Sequence, residues 1–154
     1  MSEQNGEKSA YERERELRSD LTDTLVLDYT SETYQAMIDI VKEYSGILVS
    51  GKYAITTTQL RNIYTSVKKA KKPEELLPLQ VRLAYLAGRN ESNPRFKALV
   101  DTLSLLIRKV KTKTQLEHFT EFFTALIAYQ KYHEKFPPKK QDNEKTDRKG
   151  SSDR

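Results

Sequence analysis

The sequence predicts an all-α fold: a compact bundle of about five helices with disordered charged termini. Apolar residues recur at the spacing of one helical face in several segments, and no stretch shows the alternation of a strand. Proline and Ser/Thr/Asn caps separate these segments. We therefore divide the chain into a charged, largely disordered arm at residues 1–29, a helical domain at 30–136 and a disordered charged tail at 137–154.

Composition narrows the classes of function. The 154 residues contain no cysteine, which excludes disulfides and thiolate chemistry. No apolar run approaches the roughly 20 residues that cross a bilayer, and the N-terminus lacks the pattern of a signal peptide. We expect a cytoplasmic protein that does not bind a membrane.

Positive charge is concentrated in the middle of the chain. Residues 46–111 contain thirteen Lys and Arg against four Asp and Glu, a net charge of +9, whereas residues 1–30 carry −4. A basic block within a folded region is typical of a protein with a polyanion partner. Charge alone favours a solvated helix surface instead. The positions of the individual cations must therefore distinguish a polyanion-binding face from an ordinary solvated surface.

The N-terminal third is predicted to order gradually. Residues 1–20 are rich in Glu, Arg and Ser and should be disordered, with a transient helix at 11–18. The more apolar Leu21–Tyr29 is a candidate strap against the domain. An apolar stripe predicts the first clear helix over Ser31–Tyr44, ended by Gly46.

The second helix starts at a capping box in which Thr56 precedes Gln59 by three residues. Arg61 and Lys68 lie seven residues apart on one edge of its apolar face. The loop before it carries Lys52 next to a glycine, and this loop either admits a phosphate to the backbone or is a simple turn. The lysines that end the helix are expected to be solvated.

After a short helical turn at Pro73, a third helix is predicted from Leu79 to Arg89. It is apolar nearly all round, which is typical of a central, buried helix. Arg82 and Arg89 share one narrow stripe on it, and burying two arginines is costly without an anionic partner. Few carboxylates lie nearby in sequence, so external phosphate is a better candidate partner than an internal ion pair.

Two longer helices complete the bundle. Asn93 and Pro94 start the fourth, and a capping box of Thr114 and Glu117 starts the fifth, which Pro137-Pro138 ends. Their apolar stripes supply the largest part of the predicted core: Phe96, Leu99, Val100, Leu103, Leu106, Ile107, Leu116, Phe119, Phe122, Phe123, Leu126 and Ile127.

Catalytic and metal chemistry have little support in the sequence. His118 and His133 lie too far apart on one helix to share a metal, and His133 is expected to be structural. No Gly-rich phosphate loop or nucleophile motif is present. We expect a protein that is not an enzyme and that has no cofactor and no metal site.

Three segments resemble the small subunit of the type III-A CRISPR effector, the Csm complex. The resemblance covers about residues 40–135, and its order and spacing make it more specific than any one segment. The segments are Thr56–Asn62, Leu79–Asn90 with its Ala-Tyr-x-x-Gly-Arg core, and Ala128–Tyr132.

The resemblance implies a small, non-catalytic helical protein of antiviral defence. In that family several copies stack along the effector beside its backbone subunits, and their basic faces follow the duplex of crRNA and target RNA. Target cleavage belongs to the backbone subunits, and the large subunit carries the other activities. The implied partners are crRNA, target RNA, the other Csm subunits and copies of the chain itself.

Carried over by position, Arg61, Arg82 and Arg89 are the expected principal phosphate contacts, with Lys52 and Lys68 flanking them. Four of these five cations are the ones that helical periodicity places on stripes: Arg61, Lys68, Arg82 and Arg89. The alternative interpretation is a helical adaptor whose basic face docks an acidic protein.

Overall fold

The computed structural model describes residues 9–138, which form six α-helices and no strand. The predicted all-α fold is confirmed. A π-helical turn at Leu21–Leu25 follows the first helix, and a 3-10 turn at Pro73–Leu76 precedes the fourth. The helices are α1 (Ala10–Asp20), α2 (Tyr34–Leu48), α3 (Thr57–Lys69), α4 (Leu79–Arg89), α5 (Pro94–Lys109) and α6 (Lys113–Lys135).

The core is organised around α6, which packs along α2 and α3. Its residues Phe119, Phe122 and Phe123 are fully buried, with ring centroids 6.0, 6.2 and 6.3 Å apart. Burying one such side chain contributes roughly 1.5–3 kcal/mol. The three rings therefore make α6 the helix against which the others are positioned.

Two predicted helix starts are confirmed. Thr56 and Gln59 form the capping box of α3. Asn93 caps α5 by accepting a hydrogen bond from the Phe96 amide at 3.1 Å. The end of the last helix also agrees with the sequence, because α6 stops just before Pro137-Pro138.

The start of α6 differs from the prediction. Thr112, rather than Thr114, is the N-cap, and Gln115, rather than Glu117, completes the capping box. The Gln115 carboxamide oxygen also accepts from the Lys111 amide at 2.7 Å. The earlier box is therefore stabilised by an additional bond, and the helix begins two residues sooner.

Helix α2 starts later than predicted and runs past the glycine that was expected to end it. It spans Tyr34–Leu48, with Gly46 in its last turn and buried. A Cβ atom at Gly46 would lie 2.9 Å from Pro138 Cγ and 3.4 Å from His133 Nε2. Gly46 therefore allows α2 to pack closely against the end of α6. The sequence suggests only that this glycine ends the helix, because a close contact with a distant segment leaves no local signal.

The N-terminal arm contains a helix where the sequence predicts disorder. Helix α1 begins at a capping box of Ser9 and Glu12 and buries Leu17. The strap predicted at Leu21–Tyr29 does pack onto the domain, through Leu21, Val26 and Leu27. Residues 1–8 and 139–154 lie outside the described residues.

Ion pairs explain why this charged segment is ordered. Arg13 donates two hydrogen bonds to Glu43 of α2, at 2.7 and 2.8 Å. Glu14, which is 6% exposed, accepts from Arg18 at 2.8 Å and lies 3.5 Å from Arg95 Nε. Charged residues of the segment that is predicted to be disordered are thus paired with residues of other helices.

Candidate nucleic-acid interface

The five cations predicted to bind phosphate all lie on the surface, on three consecutive elements. They are Lys52 in the loop between α2 and α3, Arg61 and Lys68 on α3, and Arg82 and Arg89 on α4. None of them forms an ion pair with a carboxylate of residues 9–138, whereas four other cations do. Those four are Arg13, Arg18, Arg95 and Lys97.

Helix α3 presents Arg61, Tyr64 and Lys68 on one stripe beside α6. We call these three residues the α3 stripe. The hydroxyl of Tyr64 lies 2.7 Å from Thr124 Oγ1, and its ring stacks on Phe123 with centroids 5.8 Å apart. Lys68 Nζ lies 5.1 Å from the Tyr64 ring centroid, a cation–π contact. Tyr64 is therefore fixed by the fold and helps to position Lys68.

The far end of the α3 stripe has a mixed electrostatic environment. Lys68 lines an open groove between α3 and α6 together with Lys71 and Lys113. Glu117 and Glu121 line the same groove. Because these carboxylates reduce the positive potential there, we expect Lys68 to be a weaker anion contact than Arg61.

Helix α4 lies at the surface, which corrects the prediction of a central, buried helix. Only Leu79 and Leu83 are buried, whereas Val81 is 75% exposed and Tyr85 is 62% exposed. The helix is short and packs mainly along α5, so only one of its faces is covered. Apolar composition did not predict burial, because many apolar side chains remain at protein surfaces.

The surface position of α4 changes the argument for its arginines. Arg82 and Arg89 are exposed, so they do not need a partner to offset a cost of burial. They lie on one stripe with Tyr85 between them, at the spacing i, i+3, i+7, and we call these three residues the α4 stripe. Arg89 Cζ lies 5.9 Å from the Tyr85 ring centroid. No hydrogen bond, ion pair or cation–π contact of the Arg82 guanidinium is found among the described residues, which leaves it available to an external anion.

Side-chain hydrogen bonds join three segments at one end of the molecule. Gln59, in the first turn of α3, donates to Asn90 Oδ1, directly after α4, at 3.3 Å. Asn93, the N-cap of α5, donates to the Tyr53 carbonyl at 3.2 Å. The start of α3, the end of α4 and the loop between α2 and α3 therefore meet, and α3 and α4 run antiparallel.

This arrangement places the segments that carry three of the predicted cations at the same end of the molecule. Arg61 and Arg89 lie near the end where the segments meet, and Lys52 lies in the loop that reaches it. Lys68 and Arg82 lie about 10 Å further along their helices, two turns from Arg61 and Arg89. Gly51, with φ +72°, provides the turn that carries Lys52, as the simple-turn interpretation predicts.

Sequence reasoning missed the tyrosines that accompany these cations. Lys52 Nζ lies 5.5 Å from the ring centroid of Tyr53, in addition to the Lys68–Tyr64 and Arg89–Tyr85 pairs. The sequence contains a signal for the two helical pairs: Arg-x-x-Tyr-x-x-x followed by Lys or Arg occurs once in α3 and once in α4. Helical spacing alone places both tyrosines on the apolar faces of their helices, so their pairing with the cations is not apparent from apolar periodicity.

The histidines have structural partners. His118 Nδ1 lies 2.6 Å from the Leu27 carbonyl, and its ring stacks on Tyr29 with centroids 3.9 Å apart. His133 Nε2 donates to the Lys42 carbonyl at 3.1 Å. Residues 9–138 contain no group of three or more His, Asp or Glu that could hold a metal, and no helix in that range is suited to cross a membrane.

Comparison with known families gives one match. The family described as Csm2 Type III-A matches residues 31–135, which include α2 to α6 and all five predicted cations, while α1 lies outside the match. Neither the curated proteins nor the solved structures that were compared include a match to this chain. The resemblance seen in the sequence is confirmed over more than half of the chain, which therefore belongs to the Csm2 Type III-A family, the small subunit of the type III-A CRISPR effector complex.

Proposed function

We propose that this chain is a non-catalytic subunit that stacks in several copies along the type III-A effector and contacts the backbone of the crRNA–target RNA duplex. Its partners are the two RNAs, the backbone and large subunits, and neighbouring copies, in the cytoplasm. The observation that supports RNA contact is the position of five exposed cations on two helical stripes and the loop before α3, with no ion-pair partner in residues 9–138. Arg61, Arg82 and Arg89 are the principal phosphate contacts, flanked by Lys52 and Lys68.

Phosphate contacts of this kind position RNA without reading its sequence, because they involve no base edge. Sequence choice then depends on pairing between the guide and the target. Each neutralised phosphate steepens the salt dependence of binding by a slope of roughly 0.7–0.9. One domain with about three to five such contacts binds weakly, and several copies on one assembly gain affinity through multivalency.

A specific observation favours a second candidate function, a helical adaptor that docks a protein. The outer face of α4 exposes the apolar residues Val81 and Tyr85, and Leu77 is exposed just before the helix begins. An exposed apolar patch next to arginines is a common composition for a protein-binding surface. In this alternative, the basic face of the chain docks an acidic protein partner in place of RNA.

Target RNA binding by the reconstituted effector complex tests the proposal. The variant Arg61/Arg82/Arg89→Ala is compared with wild type across a salt series. We expect weaker binding and a shallower salt slope, with the complex still assembled. A matched control, Arg15/Lys42/Arg108→Ala, removes three exposed cations from α1, α2 and α5 and should bind RNA as wild type does.

Three other outcomes would contradict the proposal. Equal losses in the test and control variants would mean that only net charge matters. Unchanged binding and slope in a folded Arg61/Arg82/Arg89→Ala variant would place RNA on a different face, and a loss of subunit assembly alone would favour the adaptor.

A further inference from the structure

The α3 and α4 stripes share a sequence pattern, but their tyrosines have different environments. Tyr64 is half-buried, is bonded to Thr124 and is stacked on Phe123. Tyr85 is 62% exposed, and its ring makes a cation–π contact with Arg89. Packing therefore accounts for the position of Tyr64, whereas most of the Tyr85 side chain faces solvent.

An exposed tyrosine between two arginines has the chemistry of a nucleotide site. An aromatic ring stacks on any base, and arginines beside it neutralise the phosphates of the same strand. Arg82 and Arg89 are seven residues apart, about 10 Å along the helix axis, with Tyr85 between them. Arg89 Cζ also lies 5.9 Å from the Tyr85 ring centroid, so the arginine and the ring are neighbours on the surface.

We propose that Tyr85 stacks on an unpaired nucleobase while Arg82 and Arg89 bind the adjacent phosphates, so that the α4 stripe prefers RNA with an exposed base over a regular duplex. This inference rests on the proposed function and adds the kind of RNA that the site selects. A regular duplex offers phosphates but hides base faces within its stack, so only an unpaired base engages all three side chains. Val81, exposed one turn earlier, extends the apolar surface beside the ring.

The test uses the full-length chain at low salt with two RNA probes. One is a regular RNA duplex, and the other is the same duplex with a single-nucleotide bulge of 2-aminopurine, whose fluorescence falls when it stacks. We expect Tyr85→Leu to weaken binding to the bulged RNA by about five- to tenfold, within the range measured for loss of base stacking. Tyr85→Leu should also remove the fluorescence quenching, and binding to the regular duplex should change less than about twofold.

Two variants act as controls. Tyr85→Phe keeps the ring and should retain both the affinity and the quenching. Tyr11→Leu removes a matched pair on α1, because Tyr11 is 63% exposed and Arg15 Cζ lies 5.7 Å from its ring centroid. It should bind both RNAs as wild type does.

Each remaining outcome overturns the inference in a distinguishable way. If Tyr85→Leu weakens both probes equally, the residue does not select an exposed base. If it weakens neither probe while Arg82→Ala and Arg89→Ala weaken both, the inference fails and the proposed RNA contact stands. If none of these variants changes RNA binding, both the inference and the proposed RNA contact fail. If Tyr85→Leu instead prevents assembly with the other subunits, α4 is a protein-docking surface.

Discussion

Gln59 Nε2 donates a hydrogen bond to Asn90 Oδ1 at 3.3 Å, and this contact joins the beginning of α3 to the end of α4. Each of the two side chains also makes a second hydrogen bond, at the end of its own helix. The Gln59 carboxamide oxygen completes the α3 capping box by accepting from the Thr56 amide at 2.9 Å. Asn90 Nδ2 donates to the Leu86 carbonyl at 2.8 Å, which satisfies the end of α4.

The relative position of Arg61 and Arg89 therefore depends on two helix caps that are bonded to each other. Phosphate binding as proposed would need cations at fixed separations, and here neutral amides join the ends of the helices that carry them. Neither arginine forms an ion pair within residues 9–138, while hydrogen bonds between neutral side chains hold the ends of their helices together.

Asn90→Ala should lower the free energy of unfolding by roughly 1–2 kcal/mol, because it removes two part-buried hydrogen bonds. RNA binding should weaken although no cation is changed. Urea denaturation and binding to the assembled effector measure the two effects. Asn62→Ala, at an exposed position of α3, is the control and should leave both unchanged. Full RNA affinity in Asn90→Ala would contradict the link between the caps and the cations.

Gly46→Ala and Gly88→Ala should change stability in opposite directions. Both glycines are within helices, where alanine is favoured by roughly 1 kcal/mol. A Cβ at Gly46 would lie 2.9 Å from Pro138 Cγ, whereas a Cβ at Gly88 would meet no atom within 4 Å. We expect Gly46→Ala to destabilise by about 1 kcal/mol net and Gly88→Ala to stabilise by about 0.5–1 kcal/mol. Thermal unfolding measures both, and a stabilised Gly46→Ala would contradict the close packing.

Local signals predicted much of the fold, because helix caps and apolar periodicity act within a few residues. The Thr56 and Asn93 caps and the stripe of α5 are of this kind. The burial of α4 was predicted wrongly, because burial depends on which neighbours cover a helix, and an apolar wheel contains no information about them. Helix α1 was missed for a related reason, since its order depends on the partners that Arg13 and Glu14 find in α2 and α5.

In the candidate site, too, local features could be predicted from the sequence and features set by tertiary packing could not. The cation stripes follow directly from a seven-residue spacing on a helix, so Arg82 and Arg89 could be grouped from the sequence. The difference between Tyr64 and Tyr85 could not be predicted, because both follow an arginine by three residues and only tertiary packing separates them. The Tyr64 ring stacks on Phe123 of α6, whereas Tyr85 is 62% exposed.

Glu14→Gln should release α1 from the domain. The Glu14 carboxylate lies between Arg18 and Arg95, and all three side chains are largely buried. Breaking a buried ion pair costs roughly 3–5 kcal/mol of folding free energy. If α1 detaches, Arg95 and the substituted side chain become solvated, so the protein loses only the free energy that holds this helix against the domain. Amide hydrogen exchange should rise over Ala10–Asp20 and stay low in α6. Glu91→Gln, at an exposed position, should leave exchange unchanged, and retained protection of α1 in Glu14→Gln would contradict the role of this pair.

The Arg13–Glu43 pair should stabilise the protein at neutral pH and lose its effect in acid. Hydrogen bonds from Arg13 lower the pKa of Glu43, against a smaller opposing effect of burial. A carboxylate with a lowered folded-state pKa contributes stability above its unfolded pKa, and this contribution is lost as the pH falls through the folded value. Since the two side chains are 40% and 45% exposed, solvent screening keeps the contribution below about 1 kcal/mol.

The measurement is the difference in unfolding free energy between wild type and Glu43→Gln from pH 7 to pH 3. This difference should be largest at pH 7 and shrink below about pH 4.5, the ordinary glutamate range. Glu32→Gln, at an exposed position outside the helices, should give a difference near zero throughout. A Glu43→Gln difference that stays constant as the pH falls would mean that shape and packing, rather than charge, determine how Glu43 holds α1 against α2.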